Sequence, residues 1–357
     1  MKTIKAQLQG KRSIIFNSCI PFLSGGFAFV VIAIILSLAG VNPVTAYGIM
    51  LKGAFSSLHG IANTLVKTTS LLLLGLATSV AFKCKVWNIG TEGQLYIGAL
   101  GATLIGISII GSVPILGIIA MLAVGFVFGG GFALIPAALK VKLGINEVIV
   151  TVLLNFVVFL FIAYLLHGPL KDPNTVFNPY SPVILSQSQL PIILPHTSLH
   201  AGIIIAALAT IAVNILFSKT KIGFEIKGVG TNIKAARYVG MNVTKSMFVI
   251  MGISGGIAGV TGAILVSGVQ HLLLEGISPG YGFIAVIIAL LARNNPIGVA
   301  IAAFFFAALM SGSEVLYRTL GIPSSFAITL QALVLIFVLM GELFARLQVK
   351  KKTENVI

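Results

Sequence analysis

Charge is scarce in this chain. Only 9% of its 357 residues are Asp, Glu, Lys or Arg, and the acids number eight. Beside 57% hydrophobic residues, that is too little polar side chain to coat a water-soluble fold, so the chain reads as membrane-embedded. Cysteine is nearly absent: Cys19 and Cys84 stand far apart, without a CxxC or a neighbouring histidine cluster. No disulfide framework and no metal site is therefore expected, and each cysteine reads as a small buried apolar residue. A phosphate-cradling GxxxxGK[ST] loop is missing as well, since the only Gly-Lys pair, Gly10 and Lys11, lacks the upstream glycine and runs into Arg12. The chain has no such loop with which to hydrolyse ATP itself. No catalytic constellation gathers, and no cofactor is implied.

The net charge of +15 does not point to nucleic acid. A nucleic-acid binder sets its basic residues on one polar face with aromatics between them, whereas here they separate long apolar runs. Those runs are continuous rather than alternating, which selects helices over barrel strands. Spans are predicted at about 18–40, 64–82, 92–111, 114–139, 147–167, 200–218, 246–268, 278–292, 296–314 and 324–342. The expected fold class is all-α, a polytopic integral membrane protein of about ten transmembrane helices. The uncharged stretch from Ser13 to Leu51 follows Lys2, Lys5, Lys11 and Arg12. It is too long for a signal peptide and is read as a retained first helix.

Cytoplasmic loops are enriched in Lys and Arg. With the N-terminus inside, nineteen of the 23 basic residues fall in inner segments and only Lys52, Lys67, Lys171 and Arg318 in outer ones. Adding or removing one helix destroys that bias, so both termini are expected in the cytoplasm. The chain divides into a cytoplasmic N-terminal segment, 1–17, a transmembrane domain, 18–345, and a basic cytoplasmic tail, 346–357. Outer loop 168–199 holds Pro169, Pro173, Pro179, Pro182, Pro191 and Pro195, which makes it a stiff external lid, either a connector or a docking surface. Gly252, Gly255, Gly256 and Gly259 form overlapping GxxxG spacings in an uncharged run, a signature of close helix packing.

Three polar clusters remain. In the first, Gly90 and Gly93 weaken a helix start, and Thr91 is placed to cap a first turn containing Glu92. Asn88, Glu92 and Gln94 put three polar groups at one membrane boundary, which marks a translocation pathway or gate. In the second, Asn146, Glu147 and Asn155 share the fifth helix. Glu147 complements the helix dipole, and Asn155, deeper, either bonds across helices or lines the pathway. The third is inner loop 219–245, where Gly228 and Gly230 read as hinges before a short helix capped by Thr231 or Asn232 and stopped by a left-handed Gly240. Basic residues that merely held this loop to anionic lipid would not need that pattern. It reads instead as a rigid knob for a soluble partner, with Glu225 and Arg237 as polar contacts.

At these residues the chain resembles a known family. Lys227 to Gly240 looks like the coupling loop of the branched-chain amino acid and simple-sugar permease group of ABC importers. Trp87 to Gln94 resembles the NIGxEGQ box of its nucleoside and simple-sugar branch, with Trp where Phe is common. Asn146 to Ile149 and Asn155 resemble its NEVI and LN segment, and Tyr281 to Gly298 its GFxxIAVALLxRxxPxG segment. The resemblance runs from Trp87 to Gly312. It implies a multi-pass permease of a prokaryotic cell membrane that translocates a nucleoside or related simple sugar. It further implies a cytoplasmic ABC ATPase, contacting Glu225, Gly228, Gly230, Asn232, Ala235, Ala236, Arg237 and Gly240. A second permease, homologous or identical, an extracellular solute-binding lipoprotein and the lipid bilayer complete the implied partners; nucleic acid is not among them.

The rival is an ion-coupled secondary transporter of a small polar solute. Such a carrier keeps an acid or an unwound helix pair near the midplane. Here Asp172, Glu225 and Glu354 fall in loops or tail, and Glu92, Glu147, Glu275, Glu314 and Glu342 near predicted span ends. An integral-membrane enzyme, the third reading, would gather His, Cys, Asp or Glu into one constellation.

Overall fold

A computed structural model describes residues 26–38, 40–175, 179–322 and, within 326–341, residues 326, 328–330, 332–334, 336–337 and 340–341. The predicted N-terminal segment, Cys19, the start of the first predicted helix, Glu342 and the basic tail lie outside these residues. Among the described residues no strand forms, only two isolated bridges, Tyr180 to Leu274 and Ile192 to His200.

The helices, in chain order, are α1 (Gly26–Leu38), α2 (Pro43–Phe55), α3 (Leu58–Lys83), α4 (Thr91–Gly106), α5 (Leu116–Leu143), α6 (Glu147–His167), α7 (Gly202–Lys219), α8 (Lys221–Thr231), α9 (Ile233–Tyr238), α10 (Val243–Ile264, continued by a π-turn over Leu265–Gln270), α11 (Tyr281–Leu291) and α12 (Pro296–Leu320). Among the described residues six helices are long and apolar enough to cross a membrane: α3, α5, α6, α7, α10 with its π-turn, and α12. The number is seven if α1 and α2, bent by 116°, form one span. Two segments predicted as crossings fall short, α4 with 16 residues and α11 with 11. The spans predicted from the sequence do not include α2. Its start is fixed by Asn42, whose side chain accepts from Val44 and Thr45, and by Pro43 at the first helical position, where a missing N–H costs nothing.

The chain forms two compact units, Met1–Ile61 with Ala308–Ile357, and Ala62–Ala307. In the first, α2 lies against α12: a Cβ on Gly53 would sit 2.7 Å from Val315, and one on Gly312 2.7 Å from the Met50 carbonyl. In the second, α4, α5 and α10 meet backbone to backbone. A side chain on Gly259 would fall on the Gly125 carbonyl, one on Gly129 on the Gly255 carbonyl, and one on Gly98 on Gly259 itself. The glycine spacing read from the sequence therefore packs helices, and it does so against two neighbours. With so little lipid or side chain between the axes, dispersion between main chains carries the contact.

The proline-rich segment after α6 folds over one end of this second unit. Ser181 N donates to Leu273 O at 2.9 Å, Leu190 N to Ser267 O at 2.8 Å, and Ser188 Oγ to Gly111 O at 2.8 Å. His200 closes it. Only 1% exposed, it accepts the Gly202 amide at Nδ1, 3.1 Å away, just before α7 begins. The opposite end of the bundle carries Lys83, Lys140, Lys142, Lys219, Lys245 and Arg293 and is called the basic end below.

Two outcomes follow. Gly259→Val should lower stability by about 3 kcal/mol or more through overpacking, whereas Gly131→Ala, an exposed helical glycine with open space around it, should be neutral to mildly stabilising. Thermal unfolding in detergent measures both, and equal melting points would refute the close approach. Burial, and then the neighbouring His271, pushes His200 down to about 4, below the value of about 6.5 that an unfolded histidine keeps. The unfolded chain then binds the extra proton first. Stability is full above pH 6.5 and falls by roughly 3 kcal/mol as pH drops to 4. His200→Gln should flatten that decline; an unchanged pH profile would contradict it.

Candidate functional site

From Lys83 the chain does not turn directly into α4. Cys84 to Gly90 pass through the bundle without helical structure, with Val86 and Asn88 buried. Inside a membrane such backbone must find its partners within the protein. The Trp87 amide donates to Glu147 Oε1 at 3.2 Å, the Gly90 amide to Asn88 Oδ1 at 3.1 Å, and Asn155 Nδ2 donates to the Ile89 carbonyl at 3.0 Å. Asn88 and Gln94 exchange side-chain bonds of 2.9 and 3.0 Å. Asn88 also donates to Ser254 Oγ at 2.9 Å, and that hydroxyl donates to Ala77 O at 2.6 Å. Ser254 is absent from the sequence-based candidates because it sits inside the glycine run that reads as packing.

Helix α4 therefore begins inside the bundle. The Gly93 amide donates to Asn155 Oδ1 at 2.9 Å, and Asn155 lies eight residues past the start of α6, about 12 Å along it. Helix α11 begins at the same level, since the Gly282 amide donates to Glu92 Oε2 and Thr91 Oγ1 donates to the Gly282 carbonyl at 3.3 Å. Two helix N-termini thus meet around one carboxylate, which their partial positive charge suits. Ser278 and Gly280, just before α11, line the same cavity as Glu92. Only glycine fits at 282, where a Cβ would sit 2.5 Å from the Glu92 nitrogen and 2.7 Å from Oε2.

Several expectations change here. Thr91 does not cap α4: Gly90 holds that position with no side-chain bond. Glu92 stands in the first turn of α4, as expected, but that start is buried where two short helices meet, and this broken-helix arrangement is the feature that the sequence reading assigned to the ion-coupled rival. Charge counting locates where spans end, not where a chain re-enters. Asn155 bonds across helices through both halves of its amide. Asn146 stands apart from the others as the exposed cap of α6, accepting the Val148 amide at 2.9 Å. Glu147 does more than complement a dipole, for it ion-pairs with Lys140 and holds the Trp87 amide.

At the basic end Gly228 and Gly230 are not hinges. Both lie within α8, where Gly228 packs under Met241 and a side chain on Gly230 would fall on the Lys83 carbonyl. The break comes at Asn232, which accepts the Lys234 and Ala235 amides at 3.0 and 3.2 Å and so starts α9. Gly240, with φ +81°, ends it in the left-handed form expected. Ala236 is buried and Ala235 exposed, Glu225 half-buried, and Arg237 projects into the open beside Tyr238 and Val239, 93% and 66% exposed. Lys83, from the end of α3, reaches the Asn294 carbonyl at 3.5 Å and lies over the Phe217 ring.

Comparison with known proteins places this geometry. Residues 60–339 match the family described as branched-chain amino acid transport system / permease component. The glucose ABC transporter permease protein TsgB13 of Haloferax volcanii is 35% identical over 92% of this chain and 89% of its own length. The guanosine ABC transporter permease protein NupP of Bacillus subtilis is 31% identical over 86% and 88%, and the nucleoside ABC transporter permease protein NupB of Lactococcus lactis 30% identical over 89% and 90%. No solved structure matches.

Replacing Asn155 by Leu keeps the volume but strands the buried Gly93 amide and Ile89 carbonyl, which should cost about 3 kcal/mol. Asn146→Ala, losing one exposed cap, should cost about 1 kcal/mol. Detergent melting curves rank the two, and the reverse order would show that Asn155 does not hold the non-helical segment.

Proposed function

Because the chain belongs to the branched-chain amino acid transport permease family, and so is a transmembrane permease subunit of an ABC importer, we propose how its parts divide that work. The basic end faces the cytoplasm, and with it both termini, so that ten helices in all enter the membrane, α4 and α11 as partial crossings. The exposed face of α9, with Arg237, Tyr238 and Val239, docks on a cytoplasmic ABC ATPase. A second permease pairs with this one, and an extracellular solute-binding lipoprotein delivers cargo over the segment that follows α6.

One observation supports this most strongly: α8 rests on the stretch of chain that leads into the buried polar cluster. Gly230 abuts the Lys83 carbonyl, and Lys85 Nζ donates to the Thr231 carbonyl at 3.3 Å. From Lys85 the chain continues directly to Asn88, Glu92 and Gln94. When ATP closes the paired ATPases, displacement of α9 passes through α8 to that non-helical segment and shifts the start of α4. Access to the site then alternates between the two sides. The relatives named for nucleoside, guanosine and glucose transport favour a nucleoside or related simple sugar as cargo. The chain performs no covalent chemistry in this scheme; the ATPase supplies the fuel.

Arg237→Glu should abolish ATP-driven uptake while membrane insertion stays intact, assayed by labelled nucleoside uptake alongside the amount of chain in the membrane. Normal uptake in that variant would remove α9 as the contact. Uptake by this chain alone on an imposed ion gradient, with no ATPase present, would instead favour the ion-coupled reading.

A further inference from the structure

Next to Glu92 a cavity of about 350 Å³ opens, within the range of small-ligand sites. Its walls come from four elements. Glu92 and Tyr96 stand one turn apart on α4, Phe159 lies on α6, Phe283 on the first turn of α11, and Ser278 and Glu275 on the segment before it. Phe159 follows Asn155 by one turn, so the cavity lies on the side of the polar cluster away from Glu147 and the basic end. The Tyr96 and Phe159 rings pack edge to face at 5.1 Å, and the Ser278 amide and carbonyl hold the Tyr96 hydroxyl at 3.4 Å. These walls are fixed before any ligand arrives. Phe283 is 40% exposed, and Glu275 is more exposed than Glu92, with its carboxylate 3.2 Å from His167 Nδ1. Among the described residues no Lys or Arg lines the cavity.

We propose that this cavity is the station where the solute rests in passage, and that it is built for an unphosphorylated nucleoside. The proposal rests on the reading of the chain as a nucleoside or sugar permease and narrows it. A carboxyl group keeps oxygen acceptors, so Glu92 and Glu275 suit the hydroxyl donors of a ribose. Aromatic faces stack on planar rings, and three of them suit a base better than they suit a lone sugar. A phosphate ester would bring negative charge against the exposed Glu275 carboxylate with no lysine or arginine on the lining to receive it. The same Glu275 that binds a hydroxyl therefore turns nucleotides away.

The test uses the assembled transporter, permease pair with ATPase, without the binding protein, so that only the permease can select. In a Cys19→Ser, Cys84→Ser background, Phe283→Cys is labelled with N-ethylmaleimide in the presence of uridine, uridine 5′-monophosphate or glucose. Ile162→Cys, also on the lining, serves as a second reporter should the first variant fail to assemble. Uridine at about twice its Kd should slow labelling about threefold, as single-site occupancy requires, and the monophosphate at equal concentration should not. Adding Glu275→Lys should make the monophosphate protective. Protection by glucose but not uridine, equal protection by uridine and its monophosphate in the unchanged cavity, or no protection by any of them at either position would overturn the proposal. The functional reading is scored separately, by ATP-driven uptake into proteoliposomes with the binding protein present. Uptake that persists without protection discards the cavity and keeps the permease.

Discussion

A chain that leaves helical geometry inside a bilayer exposes amides and carbonyls that no water is there to pair, and each one left alone costs several kcal/mol. Cys84 to Gly90 is such a stretch, and much of the second unit can be understood as the means of keeping it dry and satisfied. Asn88 turns back on its own loop and on Gln94. Asn155 reaches across from α6 to both sides of the break, to Ile89 before it and Gly93 after it. Glu147 takes the Trp87 amide while Lys140 balances its charge. Because the break is stabilised, α4 starts about 12 Å inside the bundle, and its first turn is available to meet that of α11 at Glu92.

Movement requires that this arrangement be anchored at one side and accessible at the other. The anchor is the glycine contact of α4 and α5 with α10, where main chains touch and no side chain can rearrange to absorb a displacement. The accessible side is the basic end, where α8 touches Lys83 and Lys85 just before the break. Packed interfaces tend to have two arrangements rather than a continuum. On the proposed reading, a push through α8 would reach a loop in which the Trp87 and Gly90 amides and the Ile89 carbonyl are held by side chains, which exchange partners more readily than a helical ladder does.

The family and the membrane class were legible in the sequence because both rest on local signals: apolar length, the placement of Lys and Arg, and four ordered boxes of residues. The Asn232 cap and the Gly240 stop were legible for the same reason, as each is decided within a few residues. What depends on distant neighbours was not. Gly228 and Gly230 look like hinges until Lys83 and Met241 are seen against them. Thr91 looks like a cap, but its hydroxyl goes to Gly282, nearly two hundred residues on. Glu92 appeared to sit at a membrane boundary because a span-length window assumes that a helix begins where the membrane does. The boxes around Trp87 and Tyr281 were each recognised, yet nothing in either says that they touch.

The contact between those boxes also explains why a buried acid at a pair of helix starts is not by itself the mark of an ion carrier. A carboxylate offers about four lone-pair sites. In Glu92 the Gly282 amide engages one of them, so the group first ties α4 to α11 and keeps acceptors for a further donor. Its carboxylate shares the cavity lining with Tyr96 and Phe283. A neutral solute bound there pulls on the same carboxylate that holds the two helix starts together. On the proposed reading, occupancy of the cavity and the position of α11 are linked through one side chain, and the loop from Lys83 to Gly90 links that side chain to the basic end, where the ATPase would dock.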